Sequence, residues 1–131
     1  MEAKELRIGN WVRYDGWHPD LVAKNRPIIP YDTQIEYIEL DDYEGEDVYV
    51  IGSTHIRAFI DSYSLIPLTE EWLIKFGFER WNDVYNFYHK LNGVEIENGN
   101  IYVGHGNEIK YVHQLQNLYF ALTGEELNKQ D

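Results

Sequence analysis

Five histidines, His18, His55, His89, His105 and His113, are the first candidates for acid–base or metal chemistry in this chain. No two stand one helical turn apart and none sits in an HExxH order, so the spacing that lets two imidazoles share a zinc ion is missing. His105 is the most suggestive, because Gly104 and Gly106 flank it and Glu108 follows. A loop of that kind can offer a ligand or a base, and it can equally be a plain connection between strands. His113 falls in the first turn of a helix, where a structural role outweighs a catalytic one. The chain has no cysteine, which removes thiolate catalysis, disulfides and Cys-based zinc sites together. Ser53, Ser62 and Ser64 lie in no Gly-x-Ser-x-Gly elbow, and no glycine loop of Walker or Rossmann type is present. Carboxylates are plentiful, yet a general acid needs its carboxyl desolvated in a cleft, and spacing alone supplies none. The residues point away from catalysis and imply neither a resident metal nor a cofactor.

Binding chemistry is better represented. The formal charge is −12, and no Lys or Arg occurs between Arg26 and Arg57. That interval holds Asp32, Glu36, Glu39, Asp41, Asp42, Glu44, Glu46 and Asp47. A field of this sign repels phosphate backbones and anionic bilayers, so duplex nucleic acid and membranes are disfavoured partners. A solvated acidic loop is the bland reading of the interval. The sharper one is a surface for a basic protein, carried by Asp41, Asp42, Glu44, Glu46 and Asp47. Of the aromatic residues, 11 are Tyr, most of which suit half-buried sheet faces. Trp11 and Trp17, beside the N-terminal turns, are binding candidates, since an exposed indole can stack on a base or anchor a protein contact. Trp72 reads as core. The polar side chains His113, Gln114, Gln116 and Asn117 on the last helix read as solvent-facing or intramolecular.

The elements that must position these residues predict an α+β fold. At 131 residues the chain is sized for a single compact domain, with a β-rich lobe over about 6–60 and a helix–meander–helix lobe over about 66–129. Leu6 and Ile8 alternate with polar neighbours, Gly9-Asn10 punctuates, Trp11 to Tyr14 resumes and Asp15-Gly16 turns. That opening is similar to those of small SH3-like barrels. Pro19, Pro27 and Pro30 leave residues 17–32 as loop with at most an edge strand. Gln34 to Leu40 is β-rich but changes parity, with Ile35 and Tyr37 on one face and Ile38 and Leu40 on the other, which predicts a bulge near Tyr37. Asp41 to Asp47 reads as an acidic turn bent at Gly45, Val48 to Ile51 as its hairpin mate, and Ile56 to Ile60 as one more strand.

A central helix follows over 69–76. Thr69 is its N-cap, Glu70 and Glu71 lie at the positive end of its dipole, Leu68 can staple onto Leu73, and Gly77 ends it. A β-meander is predicted over 78–111, its hairpins marked by Asn92-Gly93 and Asn98-Gly99. The C-terminal helix covers 112–122 with Val112, Leu115, Leu118, Tyr119 and Leu122 on one face. Thr123-Gly-Glu-Glu126 fits a capping box that opens a short last turn.

Three segments carry a resemblance: Glu5-Leu-Arg-Ile-Gly-Asn-Trp-Val12, Ile66-Pro-Leu-Thr-Glu-Glu-Trp-Leu-Ile-Lys-Phe-Gly-Phe78, and the stretch from Ile109 to Leu127. Together they resemble a family of small proteins carried by phages and mobile elements of Bacteroidetes-type bacteria. The segments stand in the family's order and reach nearly from end to end. The family has no settled activity, so the resemblance implies an accessory protein and assigns no functional residue. The start, Met1 to Arg7, has no apolar signal core, and the longest apolar run, Leu118 to Leu122, is too short to span a bilayer. A soluble protein of the bacterial host cytosol is expected. The leading reading is non-catalytic binding of a protein partner in the service of a phage or mobile element. Behind it stand an acidic inhibitor that imitates nucleic acid and blocks a host DNA-binding or defence protein, a small-nucleotide-sequestering pocket of stacked aromatics, and an enzyme of unknown type.

Overall fold

A computed structural model of the chain describes residues 3–15, 30–53, 56–81, 84–87, 91–97, 99–103 and 107–129, and its helices and antiparallel sheets form an α+β fold. The chain divides into two units, Met1–Ile66 and Pro67–Asp131. Among the described residues no helix is long and apolar enough to cross a membrane.

In the first unit, β1 (Trp11–Tyr14) lies between β2 (Tyr31–Gln34) and β6 (Tyr63–Ser64), and β4 (Glu46–Ser53) lies between β3 (Tyr37–Tyr43) and β5 (Ile56–Phe59). Both sheets contribute to one core: Leu6, Val12, Tyr14, Ile35, Ile51 and Tyr63 are buried together, and Ile38, Ile56, Ala58, Ile60 and Leu65 pack against them. Burial alternates along β1, with Val12 and Tyr14 inside and Trp11 and Arg13 on the other face. On that second face Arg13 sits 2.9 Å from Asp32, its partner in register on β2. The Tyr63 hydroxyl donates to the Ile51 carbonyl at 3.0 Å, a bond between the two sheets, while its ring meets Tyr14 edge-on at 5.4 Å.

Two expectations for this unit are corrected. Leu6 and Ile8 do not alternate as a strand: Leu6 is buried and Ile8 exposed, because the chain turns at Ile8-Gly9 with Gly9 at φ 94°. Buried Asn10 closes that turn, its Oδ1 accepting the Arg7 N–H at 2.7 Å. Nor does a bulge at Tyr37 explain the change of parity. β2 ends at Gln34 in one sheet and β3 begins at Tyr37 in the other, so the parity resets because the two stretches belong to different sheets. Ile35, at the crossing, trades backbone bonds with the turn: Gly9 N–H donates to its carbonyl at 2.7 Å, and its own N–H donates to Asn10 at 2.9 Å.

The second unit holds α1 (Glu70–Lys75), the meander β7 (Glu79–Trp81), β8 (Val84–Phe87), β9 (Leu91–Glu97), β10 (Asn100–Val103) and β11 (Asn107–Ile109), and α2 (Val112–Thr123). The meander strands lie side by side in sequence order. α1 forms as its caps dictate. Thr69 Oγ1 accepts the Trp72 N–H, Gly77 adopts φ 89°, and the N–H groups of Gly77 and Phe78 return to the carbonyls of Ile74 and Leu73 at 2.9 and 3.0 Å. Those two return bonds make a Schellman stop. The buried stripe of α1 is Trp72, Leu73 and Phe76. Lys75 and Lys129 each place an ammonium about 5 Å from the Trp72 ring, at 4.9 and 5.0 Å.

Three further details differ from expectation. Asn92-Gly93 is not a turn; it lies inside β9, where register slips between the Tyr85–Val94 and Phe87–Leu91 pairs, so two residues oppose one and the pair forms a bulge. At the second pair Glu97 lies opposite Asn100 and Gly99 has φ 81°, as a hairpin there requires, while Asn98 lies outside the described residues. On α2 the buried face runs through Val112, His113, Leu115, Gln116 and Tyr119, leaving Leu122 61% exposed. The face is centred about one residue away from the purely apolar stripe, which brings His113 and Gln116 inside. Finally, α2 ends at a left-handed Gly124 and no last turn follows among the described residues. The Thr123 hydroxyl instead accepts the nearby Glu125 N–H at 3.1 Å.

Two measurements test these assignments. Gly77→Ala puts a Cβ at a left-handed position and is expected to cost about 1 kcal/mol by chemical denaturation; an unchanged midpoint would remove the Schellman stop. Burial raises the Tyr63 hydroxyl pKa above its ordinary 10.0, and burial does the same for Tyr14. The unfolded chain then releases these protons at lower pH than the folded one. The stability they carry is full below about pH 10 and is lost as pH rises through the folded values. Tyr63→Phe is expected to cost about 1 kcal/mol at neutral pH and to flatten the alkaline fall in stability.

Candidate functional site

The acidic interval is a strand pair more than a turn. β3 runs on to Tyr43 and β4 starts at Glu46, so Asp41, Asp42 and Asp47 are strand residues and only Glu44-Gly45 forms the loop. Both loop residues have positive φ, 52° and 85°, the pattern of the tight hairpin turn that matches strand twist. The Asp42 carboxylate helps hold it, accepting the Gly45 N–H at 3.0 Å. Register then sorts the charges by face. Glu39, Asp41 and Glu46 share one face, while Asp42 and Asp47 stand directly opposite each other on the other.

Arg57 is the counter-ion that reading along the chain does not reveal. From β5 its guanidinium bonds Glu39 at 3.1 Å and Asp41 more closely, and the bond to Asp41, then that to Glu39, raises its pKa. Cross-strand register brings it there, so one positive charge is shared between two acids of the interval. Glu44, Glu46 and Asp47 have no ion pair among the described residues.

Unequal strand lengths create the site. β3 pairs along β4 from Glu46 to Gly52, whereas β5 pairs only with Val50 to Ser53. Beyond Phe59 the chain leaves the sheet into a 3-10 turn, Ile60–Ser62. Among the described residues, one edge of β4 is thus open from Glu46 to Tyr49. A pocket of about 410 Å³ lies there, lined by Tyr43, Asp47, Val48, Tyr49, Phe59, Ile60, Asp61 and Ser62. That volume falls in the range of roughly 300–1,000 Å³ typical of ligand sites. Tyr43 and Phe59 meet edge-on with ring centroids 5.3 Å apart. Tyr43 and Phe59, on one face of the sheet, are 53 and 42% exposed, and Tyr49, on the other face, is 44% exposed, so aromatic surface borders the open edge from both sides. Asp61, like Asp47, has no ion pair among the described residues. Aromatic faces and carboxylates both attract positive charge, and the carboxylates repel phosphate.

Of the residues singled out in the sequence, Asp47 lines the pocket and Asp42, Glu44 and Glu46 surround the hairpin end next to it, while Asp41 is paired with Arg57. Trp11 is elsewhere, half-buried on β1 with its indole nitrogen shut off from solvent. Trp17 and His105 lie outside the described residues. His113 is buried on α2, and the cap of that helix is supplied by Gln114, whose side-chain oxygen accepts the Tyr111 N–H at 3.1 Å. Tyr43, Tyr49, Phe59 and Asp61 were not evident as site residues, because their meeting depends on where β5 stops. No group of three or more His, Asp or Glu side chains suited to a metal occurs among the described residues.

Compared with protein-family models, with curated proteins and with solved structures, the chain matches none. The site therefore has to be read from its own chemistry.

One glycine supports the inner half of the hairpin. Gly52 lies opposite Tyr37, and a Cβ built there would fall inside the Tyr37 ring. Gly52→Ala is expected to lift that ring off the sheet and to cost about 1–3 kcal/mol by thermal or urea unfolding. Tyr37→Ala combined with Gly52→Ala should then show strong coupling in a double-mutant cycle.

Proposed function

We propose that this chain is a non-catalytic binding protein, serving a phage or mobile element, that docks a basic protein partner on the β3–β4 hairpin. The observation that carries the reading is the aromatic pocket whose two carboxylates, Asp47 and Asp61, lack ion pairs among the described residues, beside the equally unpaired Glu44 and Glu46. Carboxylates without counter-ions repel one another, and a cationic surface relieves that repulsion while burying the aromatic rings. The resemblance to proteins of phages and mobile elements supplies the biological setting. Imitation of nucleic acid asks for rows of carboxylates along one face, and here the hairpin acids divide between two. Sequestering a nucleotide asks for compensation of phosphate charge, which this lining does not offer.

The test replaces Glu44→Gln, Glu46→Gln and Asp47→Asn together and leaves Asp41 and Asp42 in their structural bonds. Melting temperature should stay level or rise slightly as self-repulsion falls. Binding to a basic partner isolated from the native host should weaken roughly tenfold at low salt, and the difference should shrink at high salt. A variant that folds and keeps full low-salt affinity would overturn the reading.

A further inference from the structure

We infer that the pocket at the open edge of β4 receives one arginine of an extended segment of the partner; this rests on the basic-partner reading and deepens it. A cation is selected by the lining. Asp61 stands on the 3-10 turn and Tyr43 and Phe59 meet edge-on on one face of the hairpin, while Asp47 and Tyr49 reach the pocket from the other face, around the open edge of β4. Arginine fits this combination better than lysine, because a planar guanidinium stacks on aromatic rings and still presents donors at its rim to carboxylates.

The space exceeds what a guanidinium needs. At about 410 Å³ the pocket has room for the arginine stem and some of the flanking backbone. That backbone meets the open edge of β4, where, among the described residues, those from Glu46 to Tyr49 have no strand partner on the β5 side. An extended peptide adds to such an edge through main-chain bonds, and a pocket beside the edge reads one side chain. A second copy of this chain is a poor occupant, since its own edge would bring Glu46 and Asp47 against the same charges. A basic segment meets them with opposite sign.

The probes are a blocked valine–arginine–valine peptide and its lysine and citrulline counterparts, titrated into the full 15N-labelled chain. The arginine peptide should shift the amides of Val48, Tyr49 and the stretch from Phe59 to Ser62. Citrulline, which keeps the shape and loses the charge, should bind about tenfold more weakly or not at all. Asp61→Asn and Phe59→Ala, both at exposed positions and checked for unchanged melting, should each weaken the arginine peptide. Equal binding of the citrulline peptide, shifts away from β4, or no shift at all would each overturn the inference. The hairpin variant Glu44→Gln with Glu46→Gln separates this from the broader reading. If it loses the basic partner while the arginine peptide fails to bind, only the pocket assignment falls. If the peptide binds and the hairpin variant keeps its partner, the hairpin reading falls instead.

Discussion

The first unit depends on the division of one strand into two halves. β4 is buried from Val50 to Ser53 and largely exposed from Glu46 to Tyr49. Its inner half has a neighbour on each side and contributes Ile51 to the core, where the Ile51 carbonyl receives the Tyr63 hydroxyl from the other sheet. Among the described residues its outer half has β3 as its one strand partner, with the 3-10 turn Ile60–Ser62 across the pocket. Because side chains alternate along a strand, the same backbone that places Ile51 inward places Tyr49 and Asp47 on that face farther out, past the end of the core. The pocket is therefore a consequence of β5 ending at Phe59 while β3 and β4 continue.

Charge is the second constraint. Asp42 and Asp47 face each other across the β3–β4 pair, an arrangement that costs stability. Arg57 offsets the equivalent repulsion on the opposite face by bridging Glu39 and Asp41. An exposed bridge of this kind is weak as a stabiliser, so its larger effect is to lower the net charge around Glu39 and Asp41, while Glu46 at the hairpin end and Asp42 and Asp47 on the other face keep theirs. The remaining charge also protects the open edge of β4, since two such edges repel before their backbones can pair.

Where the sequence was legible, the controlling physics was local. Thr69, Glu70, Glu71 and Gly77 specify α1 and its stop without reference to anything distant, and the structure has each in its expected role. Gly99, left-handed beside the Glu97–Asn100 pair, likewise takes the conformation its dipeptide signal predicts. The failures share a cause. Asn92-Gly93 carries the same dipeptide signal, yet strand pairing absorbs it as a bulge, because the register of β8 against β9 is set by the whole ladder. The parity change after Ile35 reports a passage between sheets, which no single-strand pattern can express. The buried face of α2 shifted because a helix face is chosen by what packs on it, and His113 and Gln116 were admitted along with the apolar residues. For the site, the acids were legible as a run of charge, but their sorting by Arg57 and the meeting of Tyr43 with Phe59 are properties of register and strand length.

On the proposed reading, the hairpin and the pocket act at different stages of one encounter. The acidic end of the hairpin projects a field whose reach is set by the Debye length, about 8 Å at physiological salt, so it governs approach and orientation. Interactions of that kind raise association rates and fade with salt. The pocket acts only on contact, through ring faces and through carboxylates that lose water as it fills, so it governs how long a complex lasts. A cation held against Tyr43 and Phe59 is screened less by salt than one held at the hairpin tip, because the rings exclude solvent from one side of it. The two contributions are therefore separable by ionic strength within a single binding surface: salt acts on arrival, and the aromatic wall on departure.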